Sequence, residues 1–155
     1  MADTSVPMIS GDSLPTLLQH VTTDELTRFA ERYAKAWCSR NPESVAAFFS
    51  ENGSISINNG PPAVGHVAIA REAQAFMTTF PDMIVTFDKL EPRGDQTEFH
   101  WTLTGTNTGP GGTGNHIRIS GYERWKIDDA GLIGESSGHF DAAEYERQVK
   151  GAPEL

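Results

Sequence analysis

Sulfur is the first scarcity. The 155 residues include one cysteine, Cys38, so no internal disulfide forms and a reducing compartment is the expectation. Positive charge is also short: 12 Lys and Arg stand against 21 Asp and Glu, a formal net charge of −9. That balance argues against nucleic acid and against an anionic membrane as partners, because both are held by clustered cations. No apolar run approaches the roughly 20 residues of a membrane-spanning helix. The start MADTSVPMISGDS lacks a charged region followed by an apolar one. A cytoplasmic protein is therefore expected. No histidine pair has the i, i+4 helical spacing or the cysteine partners of a metal site, so no metal is expected either.

What is present suits one domain with a real core. Met1 to about Thr22, punctuated by Pro7, Gly11 and Pro15, reads as a flexible extension, with Leu14, Leu17 and Leu18 as its docking candidates. Thr22-Thr23-Asp24-Glu25 is a capping box, and Leu26, Phe29, Ala30, Tyr33, Ala34 and Trp37 follow at helical spacing. Asn41-Pro42 opens a second helix expected to run through Phe49, stopped by Asn52-Gly53. Ser54 to Ile57 is a short strand and Asn59-Gly60-Pro61-Pro62 a loop. A third helix covers about Val67 to Phe80, with Ile69, Ala73, Phe76, Met77 and Phe80 on one stripe. Strands follow at Ile84 to Lys89 and Thr97 to Thr106, joined at Arg93-Gly94-Asp95. A short terminal helix starts at Asp141, and 150–155 is a tail. Helices early and strands late predict an α+β domain over 23–149, its helices packed on one face of a curved antiparallel sheet.

His116 to Asp141 is the most informative stretch. It reads as two strands joined by Asp128-Asp129-Ala130-Gly131. Ile117, Ile119, Gly121, Glu123, Trp125 and Ile127 share one parity, so Glu123 is the lone carboxylate on an apolar face. A carboxylate there is expensive unless something compensates it.

This order resembles the nuclear transport factor 2-like superfamily, especially its SnoaL-like branch of polyketide cyclases and ketosteroid isomerase-like proteins. The matching features are RYAKAW followed by NPESVAAFFSENG, the helix opening Gly65 to Ile69, then FPD. W-x-L-x-G-T-x-x-G, G-Y-E-x-W and D-x-x-G-L-I-x-E-x-x-G-x-F-D complete the match, which spans roughly Asp24 to Gln148. The resemblance implies a cone-shaped sheet wrapped around helices, an internal pocket for a small, mostly apolar ligand, no cofactor, and a homodimer through the sheet. It implies either a cofactor-independent acid/base isomerase, cyclase or dehydratase acting on a carbonyl or polyketide-like compound, or a non-catalytic binding or assembly module of the same fold.

The resemblance also nominates residues. Glu123 falls where a ketosteroid isomerase carries its hydrogen-bonding acid, and Tyr33 where it carries its oxyanion tyrosine. The third member, an aspartate base, falls near Ile57. A carboxyl group in an apolar cavity has a raised pKa and can donate to a substrate oxygen. The plainer alternative is a structural carboxylate bonded to Tyr33, Trp37 or His100. Asp141 falls where the catalytic cyclases have an acid/base aspartate, with His139 two residues back to tune it. Their histidine partner falls at about Trp125 or Lys126. Asp141 followed by Glu144 is equally a capping pattern. Trp37, Ile57, Phe76, Phe80, Phe87, Trp101 and Trp125 are the expected ligand-binding residues. His100 faces a partner or water if the Phe99, Trp101 and Leu103 side lines the pocket. Gly109 to Gly114 matches G-x-G-x-x-G by letter, but a strand follows it where a dinucleotide site needs a helix. It reads instead as a flexible loop at the pocket mouth.

Overall fold

The Thr22 hydroxyl accepts from the Glu25 amide at 3.0 Å and the Glu25 carboxylate accepts from the Thr22 amide at 3.0 Å. This reciprocal cap starts helix α1 (Thr23–Trp37), which buries Phe29, Ala30, Tyr33, Ala34, Ala36 and Trp37. The computed structural model describes residues 22–151. The extension before Thr22, with Leu14, Leu17 and Leu18, and the tail beyond Gly151 lie outside the described residues.

Asn41 caps helix α2 (Pro42–Ala46), which is shorter than expected. Phe49 leaves the helix and begins strand β1 (Phe49–Ile57). The Phe48-Phe49 pair fits either period, and strand pairing decides: the Ile133 amide donates to the Phe48 carbonyl at 2.9 Å. Asn52-Gly53 is likewise no helix stop but part of an irregularity inside β1, where the register shifts between Phe49 and Ser54. Strand β2 (Ala63–Val64) is a short edge piece, and helix α3 (His66–Thr79) follows Gly65. Then come β3 (Ile84–Arg93), β4 (Gln96–Thr106), β5 (His116–Ile127), β6 (Ile133–Phe140) and helix α4 (Ala142–Lys150). No helix among the described residues is long and apolar enough to cross a membrane.

The six strands form one sheet in the order β2-β1-β6-β5-β4-β3. The pairing is antiparallel except between β1 and β6, which run parallel. The α+β cone holds, with that one parallel seam added.

Register assigns the faces. Phe99, Trp101 and Leu103 stand opposite Glu123, Gly121 and Ile119, and Gly138 and Phe140 stand opposite Glu123 and Gly121. All of these share the face covered by helices. His100, Tyr122 and His139 form a row on the other face. Their rings succeed one another at 5.5 and 5.1 Å between centroids. Tyr33 sits at the centre of the core with no exposure, ringed by Phe48, Phe99 and Trp125 at 5.3–5.5 Å in edge-on contacts.

Gly121 lets two layers close. A Cβ there would stand 2.7 Å from Cζ2 of Trp101 and closer still to the His139 carbonyl. Gly121→Ala should therefore lower the free energy of unfolding by about 1–3 kcal/mol, the usual cost of overpacking. Urea unfolding measures it, and a change within a few tenths would refute the close approach.

Candidate functional site

Two strands and one helix converge on the Glu123 carboxylate. Its Oε1 accepts from the Tyr33 hydroxyl at 2.9 Å, from Trp125 Nε1 at 2.9 Å and from the Ser136 hydroxyl at 2.8 Å. Helix α1 supplies the first donor, β5 the second and β6 the third. Oε2 has no hydrogen-bond partner among the described residues, and Glu123 borders an internal cavity. Burial pushes the Glu123 carboxyl above its ordinary value, while the bonds from Trp125, Ser136 and Tyr33 pull against that rise. Burial, and then the charge of Glu123, raise the Tyr33 phenol well above its ordinary value, so Tyr33 stays a neutral donor. With Oε1 occupied by donors, a proton on this carboxyl group belongs on Oε2.

The cavity offers about 60 Å³ to the centre of a water-sized sphere, where one water needs roughly 10–15 Å³. That is room for several water-sized groups. Ile55 and Ile57 of β1 and Val85 of β3 form apolar wall. Phe99, Trp101 and Leu103 of β4 face Ile119 and Glu123 of β5 across it. Trp37, Phe76, Gly138, Phe140 and Tyr145 complete the enclosure, and Phe76, Phe140 and Tyr145 are half-buried.

Of the expected ligand-binding residues, Trp37, Ile57, Phe76 and Trp101 border this cavity. Three others do not. Phe80 is fully buried, behind Gly105 and beside the Tyr145 ring at 6.2 Å. Phe87 and Trp125 cover the two faces of the Phe99 ring, stacked at 5.7 and 4.9 Å. Tyr33 also stays behind the wall, reaching the cavity only through Glu123. The indole N–H of Trp37 is buried without a hydrogen-bond partner. It lies near the Tyr33 hydroxyl, whose rise it works against, but outside bonding geometry.

Asp141 and His139 are placed apart from Glu123. Asp141 caps α4 by accepting from the Glu144 amide at 3.0 Å. His139 bonds the Ser137 hydroxyl at 2.9 Å on the outer face of the sheet. Both border a shallow outer groove with Asn58, Asn59 and Tyr122. His100 also lies on this face, 3.2 Å from Glu98. Glu91, Glu98 and His100 bring one possible metal-ligand atom each within 4.8 Å of one another. The guanidiniums of Arg124 at 2.8 Å and Arg93 at 3.3 Å already hold Glu98. Burial raises its pKa, but these bonds and that of His100 outweigh it, and Glu98 ends below its ordinary value.

Tyr145 is the polar cavity residue that sequence reasoning missed. The available signal was its place four residues beyond the Asp141 cap, with Val149 four further on, an inward stripe on α4. The Gly109 to Gly114 loop does not border the cavity. The Gly109 amide donates to the Thr79 carbonyl at 3.3 Å and Thr113 bonds the Val149 carbonyl, so the loop ties the ends of α3 and α4 together.

The pH dependence of Glu123 is testable by difference. Its folded-state pKa is raised from 4.5. Its contribution to stability is thus full below the unfolded value and lost as pH rises through the folded one. Glu123→Gln keeps an acceptor for the three donors and an N–H₂ where the proton would sit, mimicking the neutral acid at every pH. The variant should equal the parent in urea midpoint near pH 4 and exceed it increasingly towards pH 8. A difference that is flat with pH, or reversed, contradicts the assignment.

The family model for SnoaL-like polyketide cyclases matches residues 27–149. No curated protein matches the chain by sequence. Among solved structures, TsrD from Streptomyces laurentii is similar with a TM-score of 0.70 at 17% identity, over 83% of this chain and 96% of that one. A hypothetical protein with a ketosteroid isomerase-like fold from Catenulispora acidiphila DSM 44928, in complex with trimethylamine, gives 0.69 at 17% identity, over 83% and 94%. A phenazine biosynthesis-related protein from Pseudomonas aeruginosa gives 0.66 at 15%, over 85% and 92%. At these identities the structural likeness carries the fold alone, and the match to the family model carries membership: the chain belongs to the SnoaL-like polyketide cyclase family.

Proposed function

We propose that this chain binds a compact, largely apolar molecule in the cone cavity and meets its one polar atom with Oε2 of Glu123. The observation that carries the reading is the division of labour within one carboxyl group: three donors on Oε1, and Oε2 left to the cavity. In the protonated form, Oε2 donates to a carbonyl oxygen and stabilises charge that develops there. Glu123 is then the acid/base group of a cofactor-independent isomerisation, cyclisation or dehydration of a carbonyl or polyketide-like compound, with Tyr33 as its positioning residue. The complex of the Catenulispora acidiphila relative with trimethylamine, a compact molecule, supports a small occupant.

A second reading, a non-catalytic binding module, has its own support. Among the described residues bordering the cavity, Glu123 and Tyr145 are the titratable ones. Asp141 and His139 lie on the far face of the sheet, and no path of bonded groups among the described residues joins them to the cavity. For the assembly, we propose a homodimer through the outer face that carries His100, Tyr122 and His139. Light scattering should give twice the 16.9 kDa chain mass, and a monomer at working concentration would dismiss it.

Gly138 offers the test of the cavity. A Cβ there meets Glu123 Cγ at 3.7 Å and the Ser56 carbonyl at 3.5 Å, both ordinary contacts, so a larger side chain enters the cavity from its wall. Cyclopentanone and cyclohexanone should raise the melting temperature of the parent and shift its NMR signals. Glu123→Gln, which keeps a donor, should retain that binding. Gly138→Leu should fold and lose it. Equal binding to the filled variant would place the ligand elsewhere.

A further inference from the structure

The charge pattern of the cavity points to a ligand class. Glu123 is the one formally charged residue among the described residues that border it, and no cationic side chain is among them. The rest of the enclosure is aliphatic or aromatic. Trp37 and Phe76 meet at 77° with centroids 6.1 Å apart. Trp101 and Phe140 meet at 68° and 6.0 Å, and Phe140 and Tyr145 at 60° and 5.4 Å. At these angles the lining rings do not stack face to face on one another. Phe99 is the contrast: Phe87 and Trp125 cover both its faces, leaving the cavity its edge. An aromatic face is electronegative and attracts a cation. The overall charge of −9 draws cations towards the protein as well.

We propose that the cavity binds a small alkylammonium cation, with Oε2 of ionised Glu123 as counter-ion and Trp37, Phe76, Trp101, Phe140 and Tyr145 as the cage. The proposal rests on the reading of the cavity as a ligand site, and it puts a cation at the ionised carboxylate in place of a carbonyl compound at the protonated acid. An ionised carboxylate beside apolar walls is costly to bury alone. Its three donors already hold Oε1 as an anion needs to be held, and a cation at Oε2 supplies the missing partner. Methyl groups around nitrogen spread the charge and shed water easily, which suits a cage without further hydrogen-bonding groups. The titratable groups around Oε2 are Tyr33, behind it and bonded to Oε1, and Tyr145 across the cavity on α4. Neither carries positive charge to compete with the ligand.

Tetramethylammonium is the probe and tert-butanol, of similar shape without charge, its control. Calorimetry at matched ionic strength and pH 8 should show tetramethylammonium binding at least tenfold more tightly than tert-butanol. Glu123→Gln should erase that preference, bringing the two affinities together. Trp101→Leu, should the first variant fail to fold, should weaken the cation more than the alcohol. Equal affinities in the parent, or full cation binding by Glu123→Gln, would overturn the proposal. If cyclic ketones bind and tetramethylammonium does not, the ligand class falls and the site stands. If neither binds, both fall.

Discussion

Three hydrogen bonds to one carboxylate oxygen hold this structure and its site together. Oε1 of Glu123 receives Tyr33 from α1, Trp125 from its own strand and Ser136 from β6. A buried donor without an acceptor costs about 1–3 kcal/mol, so an apolar residue at position 123 would strand all three at once. The same bonds fix the roll of α1 against the sheet. They also set the carboxyl plane, which is why one oxygen is spent on structure and the other is left to the cavity. Oε1 serves packing, and the proposed function rests on Oε2 of the same side chain.

The strands then sort the remaining chemistry by parity. Side chains alternate across a sheet, so β5 sends Glu123 inward and Tyr122 outward, and β6 sends Gly138 inward and His139 outward. Gly138 keeps room beside Glu123, and Gly121 lets Trp101 lie close to the sheet. The result is a carboxyl group in an aromatic enclosure, with His100, His139 and Asp141 outside it. That separation favours chemistry in which a single group gives and takes a proton, or binding without chemistry. It disfavours a relay through Asp141 and His139.

Much of this was legible in the sequence where a local pattern had one solution. The capping box at Thr22, the inward parity of Glu123 and the Asp128 to Gly131 turn needed no tertiary information. The pairing of Tyr33 with Glu123 came from the resemblance. Elsewhere, distant contacts decided. Counting back by two from Asp141 puts His139, Ser137, Glu135 and Ile133 on one face, yet a register shift between Lys126 and Ile127 sets Ile133 opposite Ile127 and buries it. A bulge of that kind leaves no mark in a period-two pattern. Phe80, Phe87 and Trp125 were indistinguishable from cavity wall because composition does not tell packing rings from lining rings. Tyr145 was missed because its meaning depends on where α4 docks.

Family membership names no occupant, and relatives of this fold at 15–17% identity span different described proteins. The proposed function therefore depends on the state of Glu123. Carbon-13 NMR of its carboxyl carbon, titrated from about pH 3 to 9, reads that state directly. The expected midpoint lies above 4.5 and rises further when Gly138→Leu fills the cavity. A midpoint at or below 4.5, unmoved by that substitution, would make Glu123 a solvated structural carboxylate and contradict the account.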